Sequence, residues 1–360
     1  MHCIKFICVL LIFTSCYLGE DLPPDQQVWE YDDPSKVGLS EDQLLTLDSL
    51  VKVNVFQRIQ GLIIVKDDKM VFENYYDSTS RHTIIALDKA TITITMAAVG
   101  IAIDQRLITL DDPIFQHLPS YQSIFDTTPN KKEITIRQLL THRSGIAWNE
   151  NLVALLGNPD NNLNQMFASS DYVNFILSQP LEAEPGFRYN FNSGTGVILA
   201  RIIQNVTQQP FEEFLNENLF NPIGVTSFSV EQDPAGNFNG GRGASLSFLD
   251  WAKFGYLMLN EGIWNGRKVI DSNFIEEASS LQAQVSGTFN LGYGWWLFGE
   301  NFDFLPVSRD GTYYIAGDIG QHQYLIPSEN MLILINAENF FFGFNNPSLN
   351  LFIQITSSIQ

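Results

Sequence analysis

Two segments near opposite ends of the chain have the hydrophobic pattern of β-hairpins. Residues 61–65 are apolar, residues 66–69 are all charged, and residues 70–76 are again mainly apolar. Residues 320–326 and 331–335 flank a second polar turn at 327–330. Because two strands joined by a polar turn show this pattern, the sequence predicts a sheet to which both ends of the chain contribute.

Helical patterns fill much of the chain between these hairpins. The apolar residues from Leu44 to Leu50 have helical spacing, and Ser40 just before them is a residue type that caps helices. A helix is therefore predicted to start after Ser40. Several amphipathic segments separated by Gly, Pro and Asn turns follow over about residues 115–285, and a closing helix is predicted from Pro347. The predicted fold class is α+β: an antiparallel sheet from both chain ends, flanked by helices, with an all-helical insertion.

One apolar segment is ambiguous by its pattern. Residues 91–95 alternate between Thr and Ile, and the small and apolar residues 96–104 follow them directly. Both residue types are β-branched and the alternation has a period of two, so the period alone predicts a strand for residues 91–95.

The N-terminus has the pattern of an export signal. Lys5 precedes an apolar run at 6–13, and the small residues Thr14 and Ser15 precede Cys16. We interpret residues 1–19 as a signal peptide and residues 20–38 as an extended lead-in. Residues 39–360 form one domain in this interpretation, with a sheet part at about 39–85 and 290–360 and a helical part at about 86–289.

Two locations are compatible with this signal. Cleavage would give a secreted or periplasmic protein that has no membrane contact. The alternative hypothesis is a lipoprotein signal, in which Cys16 carries a lipid and anchors the chain to a membrane. The apolar run at 6–13 is too short to span a bilayer.

Charge and cysteine content exclude several classes of function. The 360 residues include 20 basic and 40 acidic ones, a formal net charge of −20, which disfavours nucleic acid and anionic membrane surfaces as partners. Cys3, Cys8 and Cys16 are the only cysteines, so the body of the chain has neither a disulfide framework nor a thiol nucleophile. His82, His117 and His322 are isolated in sequence, and we predict no metal and no cofactor.

Several short motifs occur in a fixed order along the chain. They are Gly100-Ile-Ala-Ile-Asp104, Leu110-Asp-Asp-Pro113, Ile134-Thr-Ile-Arg-Gln-Leu-Leu-Thr-His-Arg-Ser-Gly-Ile146, Pro185-Gly186, Asn192-Ser-Gly194, Leu219-Phe-Asn-Pro-Ile-Gly224, Gly240-Gly241, Trp251-Ala-Lys-Phe-Gly255, Gly292-Tyr-Gly-Trp-Trp296 and Gly320-Gln321. Over residues 35–345 the chain resembles the serine β-lactamase and penicillin-binding-protein-like family, in its esterase and 6-aminohexanoate-oligomer-hydrolase branch. The resemblance implies a serine hydrolase acting on ester or amide bonds, with its active site between the sheet and the helical region.

Members of this family acylate the Ser of a Ser-x-x-Lys motif at the start of the central helix, where the Lys helps to deprotonate the Ser. Alignment from His82 places Ala86-Leu87-Asp88-Lys89 on this motif, with Ala86 at the nucleophile position and Lys89 at the general-base position. An ungapped alignment back from Gly100 instead puts Lys89 at the Ser position and Ile92 at the Lys position. We prefer the first alignment because it keeps the lysine. Neither alignment gives Ser-x-x-Lys.

A true Ser-x-x-Lys occurs at Ser49-Leu50-Val51-Lys52. It lies where the family has a surface helix, and we interpret it as a chance match.

The second and third family motifs also depart from their usual residues. The second, which normally provides a catalytic Tyr, aligns with Phe191-Asn192-Ser193-Gly194, so Phe191 takes the Tyr position and Tyr189 is the candidate substitute. The third aligns at Ile315-Ala316-Gly317 and lacks its usual His or Lys. The resemblance assigns to the cleft Asn192, Ser193, Gly317, Gly320 and Gln321. His142 and Arg143 are expected to pack or to anchor a loop, and Trp295 and Trp296 to line the pocket mouth or to fill the core.

Three hypotheses of function follow from these departures. In the first, an exported pseudoenzyme keeps the cleft to bind a small-molecule, peptide or amide ligand, since loss of a nucleophile typically lowers turnover by about 10⁶-fold. The alternative is an active serine hydrolase, an esterase, amidase or D-Ala-D-Ala carboxypeptidase-like enzyme, with a repositioned nucleophile such as Ser193 or Thr91. The third is an interaction protein with a filled cleft.

Overall fold

The computed structural model of the chain describes residues 29–150, 161–302, 305–339 and 346–360. The predicted signal peptide, all three cysteines and residues 20–28 of the predicted lead-in lie outside these ranges. Export, signal cleavage and lipidation of Cys16 therefore stay predictions. Within the described ranges, no helix is long and apolar enough to cross a membrane.

The main sheet is built from both chain ends, as predicted. With strands numbered along the chain, its spatial order is β1 (Glu30–Tyr31), β3 (Lys69–Tyr75), β2 (Ile59–Lys66), β14 (Met331–Ala337), β13 (His322–Ile326), β12 (Tyr313–Ala316), β11 (Trp296–Phe298), β10 (Phe289–Leu291) and β9 (Ala283–Gln284). Neighbours pair antiparallel except β1 and β3, which are parallel. The buried strand β14 lies beside β2, with Ile333 opposite Ile64, so the two predicted hairpins form the middle of the sheet.

The N-terminal hairpin turns through two aspartates. Asp67 and Asp68 both have left-handed backbone conformation, with φ of 51° and 62°. A two-residue hairpin turn of the type that matches strand twist needs positive φ at both positions, and Asp tolerates this better than most residues.

Helices cover both faces of this sheet. They are α1 (Glu41–Lys52), α2 (Thr91–Asp104), α3 (Gln122–Thr127), α4 (Ile136–Leu140), α5 (Asn162–Phe167), α6 (Tyr172–Ser178), α7 (Gly194–Thr207), α8 (Phe211–Leu215), α9 (Phe248–Leu259), α10 (Ser272–Ala278) and α11 (Pro347–Thr356). Ser40 caps α1 as predicted, and its side chain accepts a hydrogen bond from the Gln43 amide. Alternate residues of β14 point to opposite faces: Ile333 packs in the core that includes α1 and α11, and Leu334 in the larger core around α2, α7 and α9.

The inserted region carries short strands as well as helices. β4 (Ile84–Ala86), β6 (Ala244–Ser247) and β5 (Phe228–Val230) form a small sheet in the order β4-β6-β5, and β7 (Ile263–Trp264) pairs with β8 (Arg267–Lys268). Because β4 belongs to this small sheet and directly precedes α2, it fixes the start of the central helix against the inserted region.

The strand expected from the period of residues 91–95 is wrong, because these residues begin helix α2. Every residue from 91 to 102 is buried, and a helix buried on all sides has no polar face to give it a helical period. The threonine hydroxyls find hydrogen-bond partners within the chain: Thr93 donates to the Ala90 carbonyl of the preceding turn, and Thr95 donates to the Gly240 carbonyl of a packed segment.

Candidate active site

The first motif region lies in a turn between β4 and α2. Ala86 ends β4, where it is exposed and its carbonyl accepts a hydrogen bond from the Gln321 side chain at 2.9 Å. Lys89 lies in the short 3₁₀ turn Asp88–Ala90 that leads into α2. The Leu87 amide donates to the Ala244 carbonyl and Asp88 has a φ of 52°. These contacts turn the chain so that Asp88 and Lys89 reach the junction of the sheet with the inserted region.

Lys89 belongs to a group of five charged side chains that we call the charged cluster: Asp88, Lys89, Glu150, Arg242 and Asp318. The ammonium of Lys89 lies 2.9 Å from Asp318 Oδ1 and 3.8 Å from Glu150 Oε1. The guanidinium of Arg242 contacts all three carboxylates, at 2.5 Å for Asp88, 2.9 Å for Glu150 and 2.6 Å for Asp318. Two cations therefore face three carboxylates at the centre of the candidate site.

Burial shapes the electrostatics of the charged cluster. The side chains of Glu150, Arg242 and Asp318 are 3%, 7% and 7% exposed. Burial raises the pKa of Asp88, with Arg242 opposing that rise. Burial by itself would lower the pKa of Arg242, but the surrounding carboxylates outweigh it and raise this pKa. Such a group is stable only while both signs are present, because an unpaired buried charge is costly.

The Asp88 side chain also accepts a hydrogen bond from a backbone N–H beside the third motif. Its Oδ2 accepts a hydrogen bond from the Asp318 amide at 3.1 Å, and Asp318 directly follows Gly317. The resemblance places part of an oxyanion pocket at this edge of the site. In this chain, the backbone N–H at that place already binds an internal carboxylate.

Phe191 lies against Lys89, as the alignment of the second motif predicts for the Tyr position. The Lys89 ammonium is 4.9 Å from the centre of the Phe191 ring, a cation–π distance. The ring also lies 4.6 Å from His142 and stacks with Trp296 at 6.5 Å. Phe191 therefore lies beside Lys89 and provides no hydroxyl there.

Tyr189 contacts the His142 ring, which also packs against Phe191. The Tyr189 and His142 rings meet edge-on, with their centres 6.3 Å apart. Burial raises the pKa of the Tyr189 phenol, so the phenol is neutral at physiological pH. Its hydroxyl makes no hydrogen bond to Lys89 within the part of the chain that the structure describes.

Ser193 contacts the charged cluster directly through its hydroxyl group. Its Oγ donates to Glu150 Oε2 at 2.7 Å and its amide donates to the same oxygen at 2.8 Å. Trp148 Nε1 is a third donor to that oxygen, at 2.8 Å. Ser193 is 1% exposed, so its hydroxyl is buried and points at a carboxylate that already pairs with Arg242.

His142 and Asn192 connect the loop after α4 to the start of α7. The Asn192 amide donates to His142 Nδ1 at 3.3 Å, and burial lowers the pKa of His142 to about 3. The imidazole is therefore neutral near pH 7. Neither atom of the Asn192 side-chain amide has a hydrogen-bond partner among the described residues, although the residue is buried.

The third-motif residues hold the strands around the site. A Cβ on Gly317 would lie 2.4 Å from Gln321 Oε1 and 3.0 Å from the Leu87 carbonyl, so a larger residue would have to displace the Gln321 side chain. Gly320 has a φ of 103°, a backbone conformation that favours glycine. The Gln321 side chain donates to the Ala86 carbonyl and accepts from the Ile319 amide, which links β4 to the turn between β12 and β13.

A cavity of about 240 Å³ opens beside the charged cluster. Lys89 and Asp318 form its charged end, and Trp296, Tyr314, Tyr324 and His322 contribute to its aromatic walls. Trp296 thus lines the cavity, whereas Trp295 is 1% exposed in the core. In the described ranges, no group of three or more His, Cys, Asp or Glu residues is arranged to hold a metal ion.

Of the residues predicted for the site, Phe191 contacts Lys89, Gly317 lines the same cavity as Lys89, and Ser193 contacts Glu150. Ala86 lies at the end of β4, where Gln321 binds its carbonyl, and Gly320 precedes Gln321 in the turn between β12 and β13. Asn192 and Tyr189 both contact the His142 ring. Asp88, Glu150, Arg242 and Asp318 are not among the residues that the sequence predicts for the site. Three of these are direct neighbours of motif residues (Lys89, Gly241 and Gly317), which is the signal that could have drawn attention to them. Glu150 has no such signal.

The matched Ser-x-x-Lys at Ser49 lies on α1, away from these groups. Ser49 Oγ donates to the Leu45 carbonyl of its own helix, and Lys52 pairs with Asp48.

The fold and the order of the site residues define a protein with the architecture shared by β-lactamases and penicillin-binding proteins. A family profile described as Beta-lactamase matches residues 47–353, so the chain belongs to the beta-lactamase family. The family and fold inferred from the motifs are thereby confirmed.

Individual relatives are distant. The chain is 23% identical to the "Putative D-alanyl-D-alanine carboxypeptidase" of Escherichia coli (strain K12) in an alignment of 217 residues. That alignment covers 54% of this chain and 48% of that protein. The chain is 25% identical to "Protein flp" of Staphylococcus aureus (strain MRSA252) in an alignment of 209 residues, which covers 54% of this chain and 40% of that protein. The chain thus spans less than half the length of these curated relatives.

Solved structures agree on the fold. The "Putative 6-aminohexanoate-dimer hydrolase from Bacillus anthracis" superimposes with a TM-score of 0.74 at 19% identity, covering 92% of this chain and 88% of that one. The structure named "EstCE1, a hydrolase with promiscuous acyltransferase activity" superimposes with a TM-score of 0.70 at 15% identity, covering 91% and 99%. At these identities the likeness shows the fold alone.

Proposed function

We propose that this chain is an exported beta-lactamase-family protein that has lost acyl-enzyme hydrolase activity and uses its cleft to bind a small-molecule, peptide or amide ligand. The observation that carries the proposal is the charged cluster. In it, the ammonium of Lys89 is held by Asp318 and Glu150. A general base needs a free lone pair beside a hydroxyl nucleophile, and the contacts of Lys89 are carboxylates and the Phe191 ring.

Both alignments of the first motif support the same proposal. With Ala86 at the nucleophile position, no hydroxyl is present, and the residue lies at the end of strand β4 and not at the start of a helix. With Lys89 at that position, an ammonium replaces the hydroxyl and the buried Ile92 replaces the base. The internal Asp88 carboxylate on the Asp318 amide adds a further obstacle, since an oxyanion would need that donor.

The cleft supports the binding part of the proposal. Among the described residues, the buried side-chain amide of Asn192 has no hydrogen-bond partner, and buried polar groups normally have such partners. A bound ligand is one way in which such a group acquires them.

One observation favours the alternative of an active hydrolase. Ser193 Oγ lies 2.7 Å from Glu150, and a carboxylate can accept a proton from a nucleophilic hydroxyl. Thr91 has less support, because its hydroxyl accepts a hydrogen bond from the Ala244 amide and does not donate to a carboxylate of the described residues as that of Ser193 does.

The test is turnover of p-nitrophenyl esters and of a chromogenic β-lactam by the purified mature chain, next to Ser193→Ala. We expect rates equal to the uncatalysed background for both proteins. Turnover by the wild type that Ser193→Ala abolishes would contradict the proposal and establish the alternative. Sequencing the N-terminus of the secreted product tests the export part separately.

A further inference from the structure

The cavity beside the charged cluster combines an aromatic wall with a charged end. Trp296 and Tyr314 belong to the wall, and Lys89 and Asp318 to the end. The wall continues into Phe191, which stacks with Trp296 and already holds one ammonium, that of Lys89, over its ring. Electron-rich ring faces in partly buried sites attract organic cations.

Lys89 and Asp318 line the cavity, and the charged cluster to which they belong has one carboxylate more than it has cations. Lys89 and Arg242 face three carboxylates, and each cation is already engaged with at least two of them. The position in β12 where the resemblance expects a His or Lys is occupied by Ile315. An anionic ligand would therefore find no free cation among the described residues of the cluster, and an added ammonium would balance the third carboxylate.

A second group in the cavity lacks a partner. Tyr324 lines the cavity and is fully buried, and its hydroxyl has no hydrogen-bond partner among the described residues. Burial raises the pKa of this phenol, so it stays neutral. Its oxygen can accept a hydrogen bond from a ligand N–H, and a buried hydroxyl without any partner is costly.

We propose that this cavity selects small organic ammonium ligands with an apolar body and rejects carboxylates of the same size. The inference rests on the proposed function, since it concerns a ligand that binds in the cleft without being acylated. A volume of about 240 Å³ suits a compact amine rather than a long peptide. The preference for a cation comes from the excess carboxylate, and the aromatic wall provides contact for the apolar body.

The test measures binding of two probes of matched shape to the full chain by calorimetry. The cationic probe is 2-phenylethylammonium, and the anionic probe is 3-phenylpropionate. At pH 7 and low ionic strength, we expect the ammonium to bind at least about tenfold more tightly than the carboxylate, because their charges interact oppositely with the cluster. Equal affinities, a reversed preference, or no measurable binding of either probe at millimolar concentration would overturn the inference.

Two variants shift the preference in opposite directions, so a folding defect cannot imitate the expected pattern. Asp318→Asn should lower the affinity for the ammonium about tenfold, and Lys89→Met should raise it, because they remove opposite charges from the cavity end. Asp126→Asn is the matched control: this exposed carboxylate does not line the cavity, and its removal changes the net charge as Asp318→Asn does. We expect its affinity to equal that of the wild type. Lowered affinity in Asp126→Asn to the same extent would show a general effect of net charge and overturn the inference.

The two proposals can fail separately. Covalent labelling of the wild type by a fluorophosphonate would contradict the loss of catalysis. The ratio of the two probe affinities alone decides the charge preference.

Discussion

Arg242 holds three carboxylates in place around the candidate site. Each of Asp88, Glu150 and Asp318 lies within 2.9 Å of its guanidinium. Among the described residues, only Asp318 has a second cation as close, the ammonium of Lys89. The cluster therefore depends on this one side chain more than on any other that we describe.

We expect Arg242→Met to lower the free energy of unfolding by about 3–5 kcal/mol at pH 7, because it leaves buried carboxylates without their partner. The loss should shrink as the pH is lowered, since protonation removes the uncompensated charge. Urea denaturation followed by circular dichroism measures both effects.

The control for this change is Arg58→Met. Arg58 pairs with Glu338, but the two side chains are 63% and 48% exposed, and exposed pairs contribute about 0–1 kcal/mol. Equal losses in the two variants would contradict the importance of the charged cluster.

The two alignments of the first motif make different predictions for restored catalysis. If Ala86 has the nucleophile position and Phe191 the Tyr position, the double variant Ala86→Ser, Phe191→Tyr should be weakly acylated. The structure adds a reason for the opposite outcome, because residue 86 lies in β4 and Lys89 is held by Asp318 at 2.9 Å. We therefore expect this variant to fold and to remain unlabelled by a fluorescent penicillin. Labelling that is absent from Phe191→Tyr alone would instead support the alignment that starts at Ala86.

The same residues show what a sequence can and cannot predict about a site. The motifs located Lys89, Phe191, Ser193 and Gly317, since each belongs to a short pattern of fixed spacing. The partners of Lys89 were not predicted, because an ion pair between residues 89 and 318 depends on tertiary contacts that leave no local pattern.

At the scale of elements, the loop after α4 is joined to the start of α7 through a buried histidine. His142 Nδ1 accepts from the Asn192 amide, and the ring packs against Phe191. The neutral imidazole therefore positions the second-motif residues at the start of the helix. Its environment also makes stability depend on pH.

Burial lowers the pKa of His142 to about 3 in the folded chain, whereas an unfolded histidine titrates near its ordinary value of about 6.5. Between these values the unfolded state binds a proton that the folded state does not, so stability is fully present above pH 6.5 and falls as the pH is lowered. We expect His142→Asn to reduce the slope of unfolding free energy against pH by up to about 1.4 kcal/mol per pH unit in this window.

The measurement is a series of urea unfolding curves from pH 7 to pH 4.5. His322, whose pKa burial lowers to about 4, contributes to the slope in both proteins and cancels in the comparison. Identical slopes for the wild type and His142→Asn would show that folding does not lower the pKa of His142, and would contradict this account.

Element prediction succeeded where local signals were strong. The hairpin turns, the Ser40 cap and the closing helix from Pro347 each have a residue whose backbone or hydrogen-bonding chemistry fixes the element. It failed for residues 91–95, because complete burial removed the polar positions from which a helical period is recognised.

At the scale of the whole molecule, the two chain ends form one sheet. Residues 59–66 pair with residues 331–337 across most of the sequence, and both strands are buried over nearly their whole length. The site then forms where this sheet meets the inserted region. Its charged residues, at 88, 89, 150, 242 and 318, come from distant parts of the chain, and therefore the fold could be predicted from the sequence more fully than the site.

This architecture predicts that a substitution in the middle strand destabilises the entire domain. Ile333 is fully buried, and we expect Ile333→Ala to cost about 2–5 kcal/mol through lost contacts and a cavity. Val53→Ala, at a residue that is 70% exposed, should change stability by less than about 0.5 kcal/mol. Denaturation curves of the two variants make the comparison, and similar small changes in both would contradict a shared central sheet.

The central claim is that the chain has the fold of an acylating hydrolase without the groups that acylate. The most direct test is intact-mass spectrometry of the mature chain after incubation with an excess of a fluorophosphonate and, separately, of benzylpenicillin, with an active penicillin-binding protein treated in parallel. We predict an unchanged mass for this chain and a covalent adduct for the active protein. A stoichiometric adduct on this chain that is lost in Ser193→Ala would contradict the claim.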